Sequence, residues 1–245
     1  MSKKPPVKTA KKKRIEKDIT QEIIVPKAEE VQIREFPWTE KQKQLIDLIC
    51  DRRNSIIFIS GRAGTSKTLT SVYAALKLLK EKKTNGITYI RSIAESASKG
   101  LGSLPGDLAE KFSPFSGPLL DKLDELISPK EADALMESGI IKAIPINFLR
   151  GRQFRDVTII DEAQSLDKNE LITVITRIAE GGKFIFCADP QQSDIGSKSG
   201  FMKFFELFNN EESRARGIQV FEFGAEDIKR SKILSFVCDK IETLK

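Results

Sequence analysis

The segment with the clearest chemical character is residues 60–68, which read Ser-Gly-Arg-Ala-Gly-Thr-Ser-Lys-Thr. An apolar run, Ile56–Ser60, leads into it, and a helical pattern, Lys67–Lys80, follows it. In this strand-loop-helix context, main-chain N–H groups point inward and bind phosphate, and the helix dipole favours the same anion. Lys67 would add a charge at the β- and γ-phosphates, and the Thr68 hydroxyl would be a ligand for Mg²⁺. The predicted phosphate-binding residues are Gly61, Arg62, Ala63, Gly64, Thr65, Ser66, Lys67 and Thr68.

One residue departs from the usual pattern, which is GxxxxGK followed by Ser or Thr. Ser66 stands where the second fixed glycine belongs. We expect a residue just before the lysine to enter the first helical turn, where a Cβ atom is sterically allowed. The predicted cost is therefore crowding of a phosphate and lower nucleotide affinity, rather than backbone strain. The alternative is a glycine-containing turn that binds no ligand.

Two carboxylates follow a second apolar run, Val157–Asp161, since Asp161 ends the run and Glu162 comes next. Ligands of open α/β folds bind at the carboxyl ends of the strands, so both acids should face the loop from an adjacent strand. Asp161 suits a water-mediated ligand of Mg²⁺. Glu162 suits the base that orients an attacking water.

A third apolar run, Phe184–Ala188, ends in Asp189-Pro190-Gln191-Gln192. It would deliver a polar group to the same edge of the sheet. An amide can donate to a γ-phosphate and accept from a water, so Gln192 is a candidate sensor of hydrolysis.

A parallel sheet is needed to bring these three segments together. Apolar runs alternate with helical patterns along the chain, which indicates an α/β fold built from strand-helix-strand units. The predicted strands are Ile56–Ser60, Ile87–Arg91, Ile140–Pro145, Val157–Asp161, Phe184–Ala188 and Ile218–Phe223.

The predicted helices lie between these strands. They include Thr39–Cys50, Lys67–Lys80 and Leu171–Glu180, with start signals at Ser128 and Asp167. Four phenylalanines share one helical face, which we interpret as core rather than as a platform for base stacking. They are Phe201, Phe204, Phe205 and Phe208.

Composition excludes several classes of chemistry. The chain has 245 residues and no histidine, so a Ser-His triad or a histidine metal ligand is impossible. Its three cysteines are far apart and form no metal-binding motif, which favours a reducing, cytoplasmic setting. No apolar run approaches the roughly 20 residues of a membrane span, and no secretory signal is recognised, so we expect no membrane contact.

The net charge of +6 comes from one end of the chain. Residues 1–17 contain eight basic side chains and one acid, which leaves the rest with a net charge of −1. We predict that residues 1–36 form a basic, flexible and disordered tail with an extended arm, and that residues 37–245 form the folded domain. The tail could track phosphates of a nucleic acid, or it could only aid solubility.

Taken in order, these residues resemble the PhoH family of P-loop ATPases, which look like the first motor domain of superfamily-one helicases. Gly61–Thr68 resembles the Walker A motif, Asp161–Gln164 Walker B, and Ala188–Asp194 a GDxxQ motif with alanine in place of glycine. Residues 100–108 resemble the LGxLPGDL signature, and Leu149–Arg152 resembles the MRGR element. The resemblance implies a single RecA-like P-loop NTPase domain with a mostly parallel sheet flanked by helices.

The resemblance also implies roles for residues outside the loop. Gln42 is similar to a glutamine that reads adenine, although it could be an exposed helix residue with Gln44 as a polar rival. Arg230 becomes a candidate arginine finger or γ-phosphate contact. Arg91 and the Arg150/Arg152 pair match motif positions. Each of these arginines, Arg230 included, could instead be a surface charge. Arg177 matches a family position without an assigned role.

Two functions follow from this resemblance. The first is Mg²⁺-dependent ATP hydrolysis coupled to RNA or single-stranded nucleic acid. A lone domain lacks an opposing arginine, so this function implies a homo-oligomer such as a hexameric ring, with Arg230 or the Arg150/Arg152 pair acting across subunits. The second is a nucleotide-gated module that binds nucleic acid or protein with little hydrolysis.

Overall fold

A computed structural model of the chain describes residues 28–92, 108–149 and 151–228, together with Lys240. The basic segment 1–17, Arg150, Arg230 and most of the LGxLPGDL-like stretch lie outside these residues.

The described residues form one sheet of six parallel strands, as the alternating pattern predicted. The strands are β1 (Ile56–Ser60), β2 (Ile87–Arg91), β3 (Ile141–Pro145), β4 (Val157–Asp161), β5 (Lys183–Ala188) and β6 (Ile218–Glu222). Each predicted strand is confirmed to within one residue at either end. β1, β4 and β5 are buried along their whole length, which is why they read as continuous apolar runs.

The order of strands across the sheet is β3-β2-β4-β5-β1-β6. β5 therefore lies between β1, which leads into the glycine loop, and β4, which carries the two acids. The expectation that Asp161 and Glu162 come from a strand adjacent to the loop strand is wrong. Contact across this extra strand is possible because the helix that follows the glycine loop packs against both β5 and β4.

Among the described residues between 28 and 228, seven α-helices connect and flank the strands. They are α1 (Glu40–Cys50), α2 (Lys67–Lys80), α3 (Leu108–Leu126), α4 (Pro129–Glu137), α5 (Lys168–Ile175), α6 (Phe201–Leu207) and α7 (Glu211–Ala215). The predicted start signals at Ser128 and Asp167 are both confirmed as capping boxes. Helix α5 ends before the predicted Glu180, because the backbone of residues 177–179 pairs with Phe154 instead.

The two faces of the sheet carry separate apolar cores. One core packs α1 to α4 against the sheet, and the other packs α5 and α6. Phe201 and Phe205 are buried in the second core, while Phe204 and Phe208 pack against it. The phenylalanine stripe is therefore core, as predicted. No helix among the described residues is long and apolar enough to cross a membrane.

Part of the predicted arm belongs to the packed domain. Val31 is buried in the first core, and Ile33 and Phe36 pack against that core. The Arg34 N–H donates to the carbonyl of Leu126 at 2.7 Å, which ties the arm to the end of α3. The packed region thus begins before Pro37, because these apolar side chains complete the core beside α2 and α3.

Candidate active site

The glycine loop is fixed between β1 and β5. A Cβ atom on Gly61 would lie 2.8 Å from Cβ of Phe223, so close packing requires glycine there. Gly64 has a φ of 89°, which glycine adopts without strain. The Ala63 N–H donates at 2.7 Å to Oδ2 of Asp189, the residue that follows β5. Thr65 is buried and donates to the carbonyl of Arg62 at 2.9 Å.

Ser66 has a left-handed backbone, with φ 62° and ψ 27°. The expectation that this residue enters the helix without strain is therefore wrong. It is the N-cap rather than a helical residue, and the tight turn into α2 imposes a conformation that costs a residue with a Cβ roughly 1–2 kcal/mol.

The N-terminus of α2 differs from those of α1, α4 and α5, each of which begins with a capping box. No side-chain cap is found at the start of α2 within the described chain. The first N–H groups of a helix have no partner inside the helix, and here they open onto a cavity. This arrangement is suited to an anion.

The ammonium group of Lys67 lies inside the loop. Its Nζ donates to the carbonyls of Gly61 at 2.5 Å and of Arg62 at 3.0 Å. Burial lowers the pKa of Lys67, and the nearby Asp189 carboxylate opposes that shift. The lysine is thus a charge held within the cradle that phosphates would fill.

Thr68 and Asp161 meet directly, although one strand separates their elements. The Thr68 hydroxyl donates to Oδ1 of Asp161 at 2.9 Å, and the Tyr89 hydroxyl donates to Oδ2 at 2.6 Å. Asp161 is buried, so both of its oxygens are held in place. A hydroxyl and a carboxylate oxygen at this distance suit Mg²⁺, which takes oxygen ligands and keeps several waters. The residues present therefore fit the metal that the sequence predicts.

Glu162 lies beside this pair and also has a left-handed backbone, with φ 55°. Its Oε2 accepts a hydrogen bond of 2.6 Å from Nε2 of Gln164. Its Oε1 lies 3.8 Å from the guanidinium of Arg91, the last residue of β2. The carboxylate therefore has a neighbour at each oxygen and stays partly exposed to the cavity.

Gln164 also lies at the site, although the sequence indicated it only as the last residue of the segment that resembles Walker B. It is buried, and its Oε1 accepts from the Asp189 N–H at 3.0 Å. Because Asp189 binds the Ala63 N–H, one hydrogen-bonded chain runs from Glu162 through Gln164 to the glycine loop. Nothing in the composition predicts this chain, since it depends on the order of the strands.

One cavity of about 460 Å³ collects most of the predicted residues. Its lining includes Ala63, Gly64, Ser66, Lys67, Thr68, Asp161, Glu162, Asp189 and Gln192. Gln192 stands in the short turn after β5 and is exposed. Gly61, Arg62 and Thr65 shape the loop but do not line this cavity. Most residues that the sequence predicted for the site thus lie at one cavity, while their binding and catalytic roles stay predictions.

Gln42 is buried behind the loop, so its interpretation as an exposed helix residue is wrong. Its Oε1 accepts from the Thr39 N–H at 3.0 Å in the capping box of α1, and its Nε2 donates to the Thr65 carbonyl at 3.4 Å. Both ends of the amide are thus engaged by the protein. Adenine reading by Gln42 stays a prediction.

Of the arginines that the sequence singled out beyond the glycine loop, one lies at the site within the described residues. Arg91 lies at the site beside Glu162, as described above. Arg150 and Arg230 lie outside the described residues. Arg152 is exposed in the turn before β4, and Arg177 follows α5; neither lines the cavity described here.

A parallel α/β sheet whose glycine loop leads into an uncapped helix, beside a Thr-Asp pair, defines a P-loop NTPase domain. The chain belongs to the PhoH-like protein family, whose model matches residues 35–242. A PhoH-like protein of Mycobacterium tuberculosis is 32% identical over 206 residues, covering 83% of this chain and 56% of the relative. One of Bacillus subtilis is 34% identical over 191 residues, covering 77% and 58%. The chain therefore spans little more than half the length of these relatives.

Solved structures also match at low similarity. The large terminase of a thermophilic bacteriophage is 10% identical with a TM-score of 0.49, covering 84% of this chain and 50% of the terminase. The Pif1 helicase of Candida albicans is 18% identical with a TM-score of 0.34, covering 77% of this chain and 40% of the helicase.

Proposed function

We propose that the protein binds Mg-ATP and hydrolyses it. The observation that carries this proposal is the hydrogen bond of 2.9 Å between Thr68 and Asp161, beside the uncapped N-terminus of α2 in one cavity. Phosphate donors, a metal pair and a partly exposed carboxylate are the parts that phosphoryl transfer needs. Membership of the PhoH-like family supports the same function.

The polar residues that the sequence predicted at this cavity have distinct roles in this proposal. Main-chain N–H groups at the start of α2 bind the phosphates, and Lys67 exchanges its two loop carbonyls for phosphate oxygens. Thr68 and Asp161 hold Mg²⁺, which supplies positive charge against the phosphate oxygens when bound. Glu162 orients the attacking water and accepts its proton, while Gln192 donates to the terminal phosphate.

We further propose that hydrolysis is coupled to RNA or another single-stranded nucleic acid. The support is the basic segment 1–17, because the rest of the chain has a net charge of −1. The arginine that would complete the site is proposed to come from a second copy, in a homo-oligomer such as a hexameric ring, with Arg230 as its candidate. Cys50 and Cys187 are free thiols, which suits a cytoplasmic location.

The test compares phosphate release by the wild type, Lys67→Ala and Glu162→Gln, each with and without single-stranded RNA. We expect both variants to lose at least about 100-fold in kcat, since each removes a group that acts in the transition state. Glu162→Gln should still bind the nucleotide, whereas Lys67→Ala should bind it weakly. Equal phosphate release from all three proteins would contradict the proposal.

A nucleotide-gated binding module is the second candidate, and Ser66 favours it because a side chain replaces a glycine at the wall of the cavity where phosphates would bind. The two functions separate in one experiment. A module binds Mg-ATP and changes its RNA affinity without releasing phosphate. Light-scattering mass with and without Mg-ATP tests the oligomer, which should form or tighten with the nucleotide.

A further inference from the structure

Helix α3 contributes an ion pair to the cavity wall that no motif predicted. Lys122 and Glu125 line the cavity together with the loop and the carboxylates of β4. Their Nζ and Oε1 atoms lie 2.5 Å apart, and the side chains are 29% and 42% exposed. Both charged groups therefore reach the solvent of the cavity rather than the core.

The position of α3 decides which part of a ligand this pair would meet. Helix α3 packs against α2 and against β2 and β3. In the sheet, β2 lies next to β4, on the side away from β1. Lys122 thus approaches from the side of Thr68 and Asp161. That side is the metal and terminal-phosphate end of the cavity under the proposed function.

Lys122 differs from Lys67 in the kind of partner that its ammonium group has. Among the described residues that line the cavity, the cations are Lys67 and Lys122. Lys67 lies inside the loop, bonded to two carbonyls. Lys122 is instead paired with a partly exposed carboxylate three residues along the same helix, and pairs of this kind contribute little. Exchanging that partner for a phosphate, which is a strong charge-assisted acceptor, is therefore favourable.

We propose that Lys122 binds the terminal phosphate of the nucleotide and makes the site prefer a triphosphate over a diphosphate. This inference rests on the proposed function of the cavity. Glu125 holds the lysine side chain at the cavity wall until a nucleotide with a third phosphate arrives. Helix α3 then follows the nucleotide state through Lys122, because the lysine changes partners only when that phosphate is present.

The test measures the Kd of ADP and of a slowly hydrolysed ATP analogue, both with Mg²⁺, by calorimetry. Lys122→Ala should weaken binding of the analogue by about tenfold and change the Kd of ADP by less than about twofold. Glu125→Gln releases the lysine and should bind the analogue more tightly than the wild type. The control is Lys43→Ala, because Lys43 forms an ion pair of the same spacing with Glu40 on α1, outside the cavity lining.

Each result has a defined meaning. Equal Kd values for the analogue in Lys122→Ala and the wild type, or an equal loss for both nucleotides, overturn the inference while the proposed function stands. If the wild type binds neither nucleotide, the proposed function fails and the inference fails with it. Circular dichroism melts of Lys122→Ala should match those of Lys43→Ala, since both residues are partly exposed.

Discussion

The side-chain amide of Gln164 donates a hydrogen bond of 2.6 Å to the carboxylate of Glu162. The other end of the same amide accepts from the Asp189 N–H. Since the Asp189 carboxylate also accepts from the Ala63 N–H, two buried residues, Gln164 and Asp189, link the proposed base to the phosphate loop. The three strand ends of the site are thus fixed relative to one another.

Replacing Gln164 with leucine should therefore harm both stability and turnover. The change leaves the Asp189 N–H without its acceptor and frees Glu162, at a cost of about 1–3 kcal/mol in the free energy of unfolding. Urea denaturation measures that cost, and kcat should fall more than KM rises. Gln44→Leu on α1 is the control, because Gln44 is exposed. Equal stability of the two variants would contradict the role of Gln164.

Ser66→Gly should stabilise the protein and tighten nucleotide binding. Glycine removes the left-handed strain at φ 62° but loses more entropy on folding, so the net gain is about 0.5–1 kcal/mol. Lys82 has a φ of 55° far from the cavity, which makes Lys82→Gly a matched control. Both variants should have a higher free energy of unfolding in urea denaturation. Only Ser66→Gly should also lower the Kd of an ATP analogue. A gain in affinity from Lys82→Gly would refute this explanation.

Tyr89→Phe should raise the Mg²⁺ concentration needed for nucleotide binding. Burial and the neighbouring Asp161 raise the pKa of Tyr89, so the phenol keeps its proton and donates to Oδ2 of that carboxylate. Asp161 is the proposed metal ligand, and losing a hydrogen bond to such a ligand typically costs about tenfold in metal affinity. Titrating Mg²⁺ against binding of a fluorescent nucleotide measures the shift. Tyr73→Phe is the control, since the Tyr73 hydroxyl donates to Glu35 instead.

Lys183 should make the free energy of unfolding depend on pH in the alkaline range. Burial lowers the pKa of Lys183 to about 8, while the pKa of a lysine in the unfolded chain is about 10.4. Between these values the unfolded chain binds more protons, so the free energy of unfolding contributed by this residue rises with pH. The slope of the free energy of unfolding against pH, measured by urea denaturation across this range, should be more positive for the wild type than for Lys183→Met. Lys130→Met, at an exposed position, should keep the wild-type slope.

The strands and helix starts could be predicted because each leaves a signal in a short stretch of sequence. Central strands of a parallel sheet are buried on both faces, so Val157–Asp161 reads as an uninterrupted apolar run. A capping box places both of its partners within four residues, as at Ser128 and Glu131. The glycine loop and the two acids could be found in the same way, from residue types next to such runs.

Long-range relationships could not be predicted from these patterns. The neighbours of a strand are not encoded locally, so the insertion of β5 between β1 and β4 was missed. The backbone of Ser66 is set by the turn between β1 and α2, which the residue type does not reveal. Lys122 and Glu125 look like an ordinary surface pair until α3 is packed beside α2.

The packing of Val31, Ile33 and Phe36 against the first core limits how far an N-terminal deletion can extend without disturbing the fold. A deletion meant to isolate the contribution of the lysine-rich end should stop ahead of residue 28. Cutting at Pro37 would strip three apolar side chains from beside the second and third helices, and weaker RNA binding by that truncation would then be confounded with poor folding.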